Sequence, residues 1–169
     1  MTGWGKYVIA ALLIAVITHF VIVFATPNVL MDVASKRLGG ANAWHVAARV
    51  TPNSRAIVRP SPDFAYSACP YDLGGGPVRI HVTPWGDYWS LSLYGANSDN
   101  YYVLDDREAQ SGVDILLVRE GSTPPDREAA TIVESPTQRG IALIRRLAPT
   151  PDAYDAAAQV AHGDVCSRR

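Results

Sequence analysis

The chain has 169 residues, with 15 lysines and arginines against 16 acidic residues and a formal net charge of -1. That length allows one folded domain beside a membrane segment, and the charge balance gives no overall field to gather nucleic acid. Two cysteines, Cys69 and Cys166, lie far apart without CxxC or Cys/His spacing, so no metal site is expected.

Tyr7 to Ala25 is apolar except for Thr18 and His19. At about 1.5 Å per helical residue it comes close to a hydrocarbon thickness of about 30 Å. The run is longer than a signal-peptide core, which predicts an uncleaved signal anchor and not a cleaved leader. The α-amino group and Lys6 precede it and no positive charge follows until Lys36 and Arg37, which predicts an N-terminus in the cytoplasm. His19 reads as a neutral histidine near one end of a lone helix, not as a proton relay. Thr26 and Pro27 then offer a cap and a first-turn proline, predicting a separate short helix through Leu38 that Gly39 and Gly40 end.

From Val50 to Pro77 the sequence predicts one short strand, Ala56 to Val58, and otherwise an ordered loop, because prolines 60, 62 and 70 oppose regular ladders. Gly74, Gly75 and Gly76 read as a turn, since no Lys or Ser/Thr follows to make a phosphate loop. Val78, Ile80 and Val82 alternate with Arg79, His81 and Thr83, and Pro84 to Asp87 supplies a turn into the next strand. There Tyr88, Ser90, Ser92 and Tyr94 alternate with Trp89, Leu91 and Leu93. Large apolar groups therefore share one face and hydroxyls the other. Gly95 to Asn100 is turn-rich and leads into Tyr101 to Leu104, so three consecutive strands form a meander.

Val113 to Arg119 is apolar without alternation, the mark of a strand covered on both faces. Pro124 and Pro125 break the chain, Thr131 to Val133 forms another strand, and Ile141 to Leu147 returns as a strand or a helix, the tight Ser-Pro-Thr-Gln turn before it favouring the strand. Thr150, Pro151 and Asp152 begin a short alanine-rich helix that reaches about Ala161. The expected fold is mainly β, a small antiparallel barrel or sandwich with an N-terminal transmembrane helix and a short C-terminal helix. The chain divides into an anchor over 1–26, a linker with a short helix over 27–49, and a β-domain over 50–169. In an exported domain a Cys69 to Cys166 disulfide is permitted; two unpaired thiols are the alternative.

The stretch AIVRPSPDFAYSACPYDLGGGPVRIHVTPWGDYWSLSLYGANSDNYYV resembles the bacterial family Domain of Unknown Function 1254, and the likeness extends over Met31 to Leu147. The residues that carry it are Arg59 and Pro60, Asp63, Tyr66 and Ser67, Gly76 and Pro77, Gly86, and Tyr88 to Leu91, followed by SPTQRGIALIRR. The family's Asn-x-Asp-Thr is replaced by Ser61, Pro62, Asp63 and Phe64, which exchanges polar groups for a proline and an aromatic ring. The resemblance implies a β-rich domain of cell-envelope proteins, associated with a second β-domain, and it implies no particular reaction.

No G-x-S-x-G elbow, HExxH, P-loop or His/Cys/Asp cluster is present in the sequence. The four histidines, His19, His45, His81 and His162, fall in different segments. The hydroxyl face of Tyr88, Ser90, Ser92 and Tyr94, joined by Tyr101 or Tyr102 and reached by Arg79 or His81, is where a small ligand would be expected to bind; a solvated face or an interface to a partner β-domain is the plainer reading and is preferred. Asp63, Tyr66 and Ser67 are candidates for a second, smaller polar loop site, with a loop-fixing aspartate bonded to backbone amides as the alternative. These readings favour a membrane-anchored periplasmic binding or assembly module without a cofactor. Its expected partners are the inner membrane and either a second envelope β-domain protein or a small polar ligand. An envelope enzyme of hydrolase type, and a scaffold that only docks a second domain, are the rival classes.

Overall fold

The apolar N-terminal run lies within one unbroken helix, α1 (Gly5–Leu38, 34 residues), in a computed structural model that describes residues 3–55, 59–123 and 130–169. At about 1.5 Å per residue α1 is about 51 Å long, some 20 Å more than a bilayer's hydrocarbon. It is long and apolar enough to cross a membrane, and its most apolar window is not buried by the rest of the chain. The expected break at Thr26 and Pro27 is absent. A helix already propagating from upstream needs no new nucleus, and Pro27 removes one backbone hydrogen bond and crowds the preceding turn without ending the helix. Asn28 Nδ2 donates to the Phe24 carbonyl at 3.1 Å on the same stretch. Gly39, at φ 98°, ends the helix in the left-handed conformation that its missing Cβ allows.

The strands are β1 (His45–Val46), β2 (Phe64–Asp72), β3 (Val78–Val82), β4 (Trp89–Gly95), β5 (Asn100–Asp105), β6 (Val113–Arg119), β7 (Thr131–Ser135), β8 (Arg139–Leu147) and β9 (Val165–Arg168). A second helix, α2 (Pro151–Val160), precedes β9. They form a five-stranded sheet ordered β1-β2-β8-β4-β5 and a four-stranded sheet ordered β7-β6-β3-β9. The fold is mainly sheet, and neither sheet closes into a barrel.

One core lies between the sheets. Tyr71, Trp89, Leu91, Leu93, Ala142 and Ile144 enter it from the larger sheet, and Val78, Ile80, Val82, Ile115, Leu117 and Val133 from the smaller. The Cys69–Cys166 disulfide joins β2 to β9 across this core, with Cα atoms 6.6 Å apart. β6 is buried at Ile115 to Val118 on both faces, as its unalternating sequence requires.

Two expectations about the strands fail for identifiable reasons. The meander does not form: β3 pairs with β6 and β9, while β4 pairs with β5 and β8. Pro84 to Asp87 therefore carries the chain from one sheet to the other and is not a hairpin turn. The loop expected before Pro77 contains β2, which pairs with β8 along its length despite Pro70. The Pro70 carbonyl accepts from Asn42 N at 2.7 Å, so the side on which its amide hydrogen is missing faces away from β8. β1 has ended there, so the proline removes no ladder bond. Neither β1 nor β9 was apparent in the sequence, being two and four residues long. The expected strand Ala56 to Val58 and the Pro124–Pro125 break lie outside the described residues.

The end of α1 packs on the outer face of the larger sheet. Met31, Ala34 and Leu38 meet Ala68, Ile141 and Leu143, and Asp32 approaches Arg139 at 3.8 Å. Ser98 Oγ donates to the Pro27 carbonyl at 3.4 Å. The helix thus crosses β2 and β8 and leaves past the β4–β5 turn. At the far side Thr150 Oγ1 caps α2 by accepting from Ala153 N at 3.2 Å, and Ala157 packs on Ala65 and Ala148.

Candidate functional site

Alternation in β4 decides the site. Trp89, Leu91 and Leu93 fill the core, so Tyr88, Ser90, Ser92 and Tyr94 turn to the outer face of the larger sheet, the face on which α1 docks. Register then supplies their neighbours. Ser90 stands opposite Arg145, Ser92 opposite Leu143 and Tyr94 opposite Ile141; across β8, Arg145 stands opposite Tyr66 and Leu147 opposite Phe64. The Phe64 ring lies 6.3 Å from that of Tyr66 and 6.0 Å from that of Tyr88. The Arg145 guanidinium carbon is 5.9 Å from the Phe64 centroid, and Arg145 Nε and Nη2 both donate to Ser90 Oγ at 3.3 Å. Ser90 and Ser92 are 1% and 3% exposed, whereas Tyr66, Tyr88, Tyr94 and Arg145 are half-buried. Aromatic rims and one guanidinium are therefore what the face presents to solvent.

The other expected members lie elsewhere. Arg79 and His81 belong to the smaller sheet, because β3 does not pair with β4. Arg79 donates to both Asp114 oxygens, at 2.9 and 2.5 Å, and the pair holds the Asp114 carboxyl below the usual carboxylate range. Tyr101 and Tyr102 pack against the core and do not join the hydroxyl face; β5 shifts register beside Leu93 and Tyr94. Asp63, Tyr66 and Ser67 do not converge. Tyr66 accepts from Ser61 N at 3.0 Å, Ser67 is buried, and Asp63 is exposed while its backbone carbonyl accepts from Ala148 N at 2.8 Å. The consecutive positions 66 and 67 of one strand necessarily face opposite ways. His19, His45, His81 and His162 occupy α1, β1, β3 and the turn before β9.

Two buried polar networks were not foreseen. Tyr71 OH reaches the Tyr94 carbonyl at 3.0 Å, Tyr101 OH at 2.9 Å and Ser135 Oγ at 3.0 Å. Burial pushes both tyrosine pKa values above the usual phenol range. Arg146, 2% exposed, forms a two-pronged pair with Asp164 at 2.9 and 2.8 Å and also donates to the Thr83 carbonyl at 3.0 Å. The adjacent arginines of IRR thus serve opposite faces, Arg146 inside and Arg145 outside. The alternation of Ala142 and Ile144 was the signal that separates them.

Beside Tyr88 an open cleft of about 370 Å³ is lined by Trp85 to Trp89, Asp106 and Gln110. Trp85 is fixed there by donating from Nε1 to the Leu147 carbonyl at 3.0 Å. The cleft encloses neither His81 nor Asp63. Among the described residues no group of three or more His, Cys, Asp or Glu is placed to hold a metal ion.

These features define a two-sheet domain, internally cross-linked, carried on a helix fit to span a membrane, with an aromatic outer face beside that helix. The chain belongs to the family described as Protein of unknown function (DUF1254), whose model matches residues 41–167. No curated protein matches. Among solved structures, the VPA0106 protein from Vibrio parahaemolyticus is similar at a TM-score of 0.66 and 10% identity, over 86% of this chain and 35% of that one. An uncharacterized protein from Burkholderia cenocepacia is similar at a TM-score of 0.48 and 19% identity, over 70% of this chain and 34% of that one. The chain thus spans about a third of the length of the solved chains it matches. The first likeness supports the fold.

Proposed function

We propose that the protein is a membrane-anchored binding or assembly module of the bacterial cell envelope that works without catalysis of its own. In this reading α1 crosses the inner membrane with its N-terminus in the cytoplasm, and the two packed sheets, a sandwich in the broad sense, stand in the periplasm. The Cys69–Cys166 disulfide supports an oxidising compartment, since reducing cytosol keeps most thiols free. The observation that carries the binding role is the outer face of the larger sheet. Its half-buried Tyr66, Tyr88 and Tyr94 lie outside the shared core beside the docked helix, where a small polar ligand or a second β-domain protein can reach them.

Two measurements test this. A C-terminal alkaline phosphatase fusion is expected to be active and a C-terminal fluorescent-protein fusion dark; the reverse result removes the periplasmic assignment. Co-purification from solubilised membranes is expected to weaken in Tyr88→Phe/Tyr94→Phe, which keeps the rings and removes only the hydroxyls, with the melting temperature unchanged. Equal recovery of partners by both proteins, alongside unfolding of Leu91→Ala, would make the strand purely structural.

A further inference from the structure

We infer that Arg145 anchors an anion site on this face, and that the group it holds is the carboxylate of a small ring-bearing molecule. The inference rests on reading the outer face as a binding surface and adds the chemistry of what binds there.

Arg145 is half-buried at the centre of the larger sheet, between Tyr66 on β2 and Ser90 on β4. Among the described residues no carboxylate lies within ion-pair distance of it. Three other arginines differ: Arg79 has Asp114 at 2.5 Å, Arg146 has Asp164 at 2.8 Å, and Arg139 has Asp32 at 3.8 Å. Asp105, opposite Ser90 on the next strand, turns Oδ1 to the amides of Arg107 and Glu108 at 2.9 and 3.4 Å. A partly desolvated guanidinium without a counter-charge is electrostatically incomplete.

Its donors divide unequally. Nε and Nη2 share one acceptor, Ser90 Oγ, at a long 3.3 Å, and the Nη1/Nη2 edge is left for a ligand. That edge is a planar fork matched to the two oxygens of a carboxylate. A phosphate can use the same fork, but a single guanidinium balances the charge of a carboxylate and only half that of a phosphate dianion. The Phe64 ring stands beside the fork, 5.9 Å from the guanidinium carbon, with the Tyr66 and Tyr88 rings 6.3 and 6.0 Å from the Phe64 ring, so a ring attached to the carboxylate finds an apolar wall to stack on. Arg145 lies two residues along β8 from Leu143, the nearest β8 residue packed with the end of α1; at about 3.3 Å per residue the site is about 7 Å from that contact, beside the helix.

The test uses the full chain in nanodiscs, titrated calorimetrically with glucuronate and benzoate and with their uncharged counterparts, glucose and phenol. Saturable binding of at least one carboxylate is expected, about tenfold to a hundredfold tighter than its counterpart, as charge-assisted hydrogen bonds imply. Arg145→Gln is expected to abolish that preference and Arg145→Lys to retain only part of it, with both variants melting like the parent. Equal binding of charged and uncharged probes that is lost in Tyr88→Phe/Tyr94→Phe overturns the anion assignment while leaving the binding face in place. Binding of no probe, or a carboxylate preference that survives Arg145→Gln, overturns the assignment outright.

Discussion

Replacing both cysteines by alanine removes the one covalent link between the sheets. The bridge closes 97 residues of chain, and constraining a loop of that size in the unfolded state stabilises by about 4.7 kcal/mol in the chain-entropy treatment. Measured losses from native bridges run at about 2–5 kcal/mol. Cys69 is fully buried, and alanine there also loses packing, which adds to the loss. β9 is four residues long and sits at a sheet edge, so it is expected to detach first. Thermal unfolding of the full chain in detergent, followed by near-ultraviolet circular dichroism, should show the double variant melting about 10–20 °C lower. Reductant should shift the parent similarly and leave the variant unchanged. A loss below about 1 kcal/mol would mean that β9 and the core hold together without the bridge.

Asp164→Ala strands the buried Arg146 guanidinium and should cost about 3–5 kcal/mol by urea unfolding, whereas Arg146→Met with Asp164→Leu should cost less than the single change. In Gly140→Ala the new Cβ would stand 2.1 Å from the Tyr94 carbonyl oxygen and 2.2 Å from Tyr71 OH, so a loss of about 1–3 kcal/mol is expected in the same assay. Because burial raises the pKa of Tyr71 and Tyr101, the fold favours their protonated forms. Their contribution is complete below the unfolded tyrosine pKa of about 10 and is lost as pH rises toward the folded values. Stability should therefore fall above about pH 10, and Tyr71→Phe should flatten that fall.

Much of the architecture can be read from residue periodicity, and the failures have a common origin. Alternation in β4 correctly divides core from outer face, because side-chain direction is local. Pairing is not local: nothing in Val78 to Val82 says whether its partner is β4 or β6, and the placement of Arg79 and His81 rested on that choice. Pro70 argued against a strand, yet a proline is harmless on the side of β2 where β1 has already ended. β9 carries almost no apolar signal and is placed by its disulfide and by pairing with β3. The hydroxyl face was legible as a face, while its guanidinium was not, since two adjacent arginines look alike until the parity of β8 assigns one inside and one outside. The continuity of α1 was hidden by Thr26 and Pro27, which imitate a helix start.

The central claim is that the outer face of the larger sheet is where this protein meets its partner or ligand. A photo-crosslinking amino acid placed at Tyr88 in the full chain, in living cells, tests it most directly, with Ile132 on the exposed side of the smaller sheet as the control position. Adducts are expected at position 88, reduced by Arg145→Gln, and none at position 132. No adduct at 88, or equal adducts at both positions, would contradict the claim.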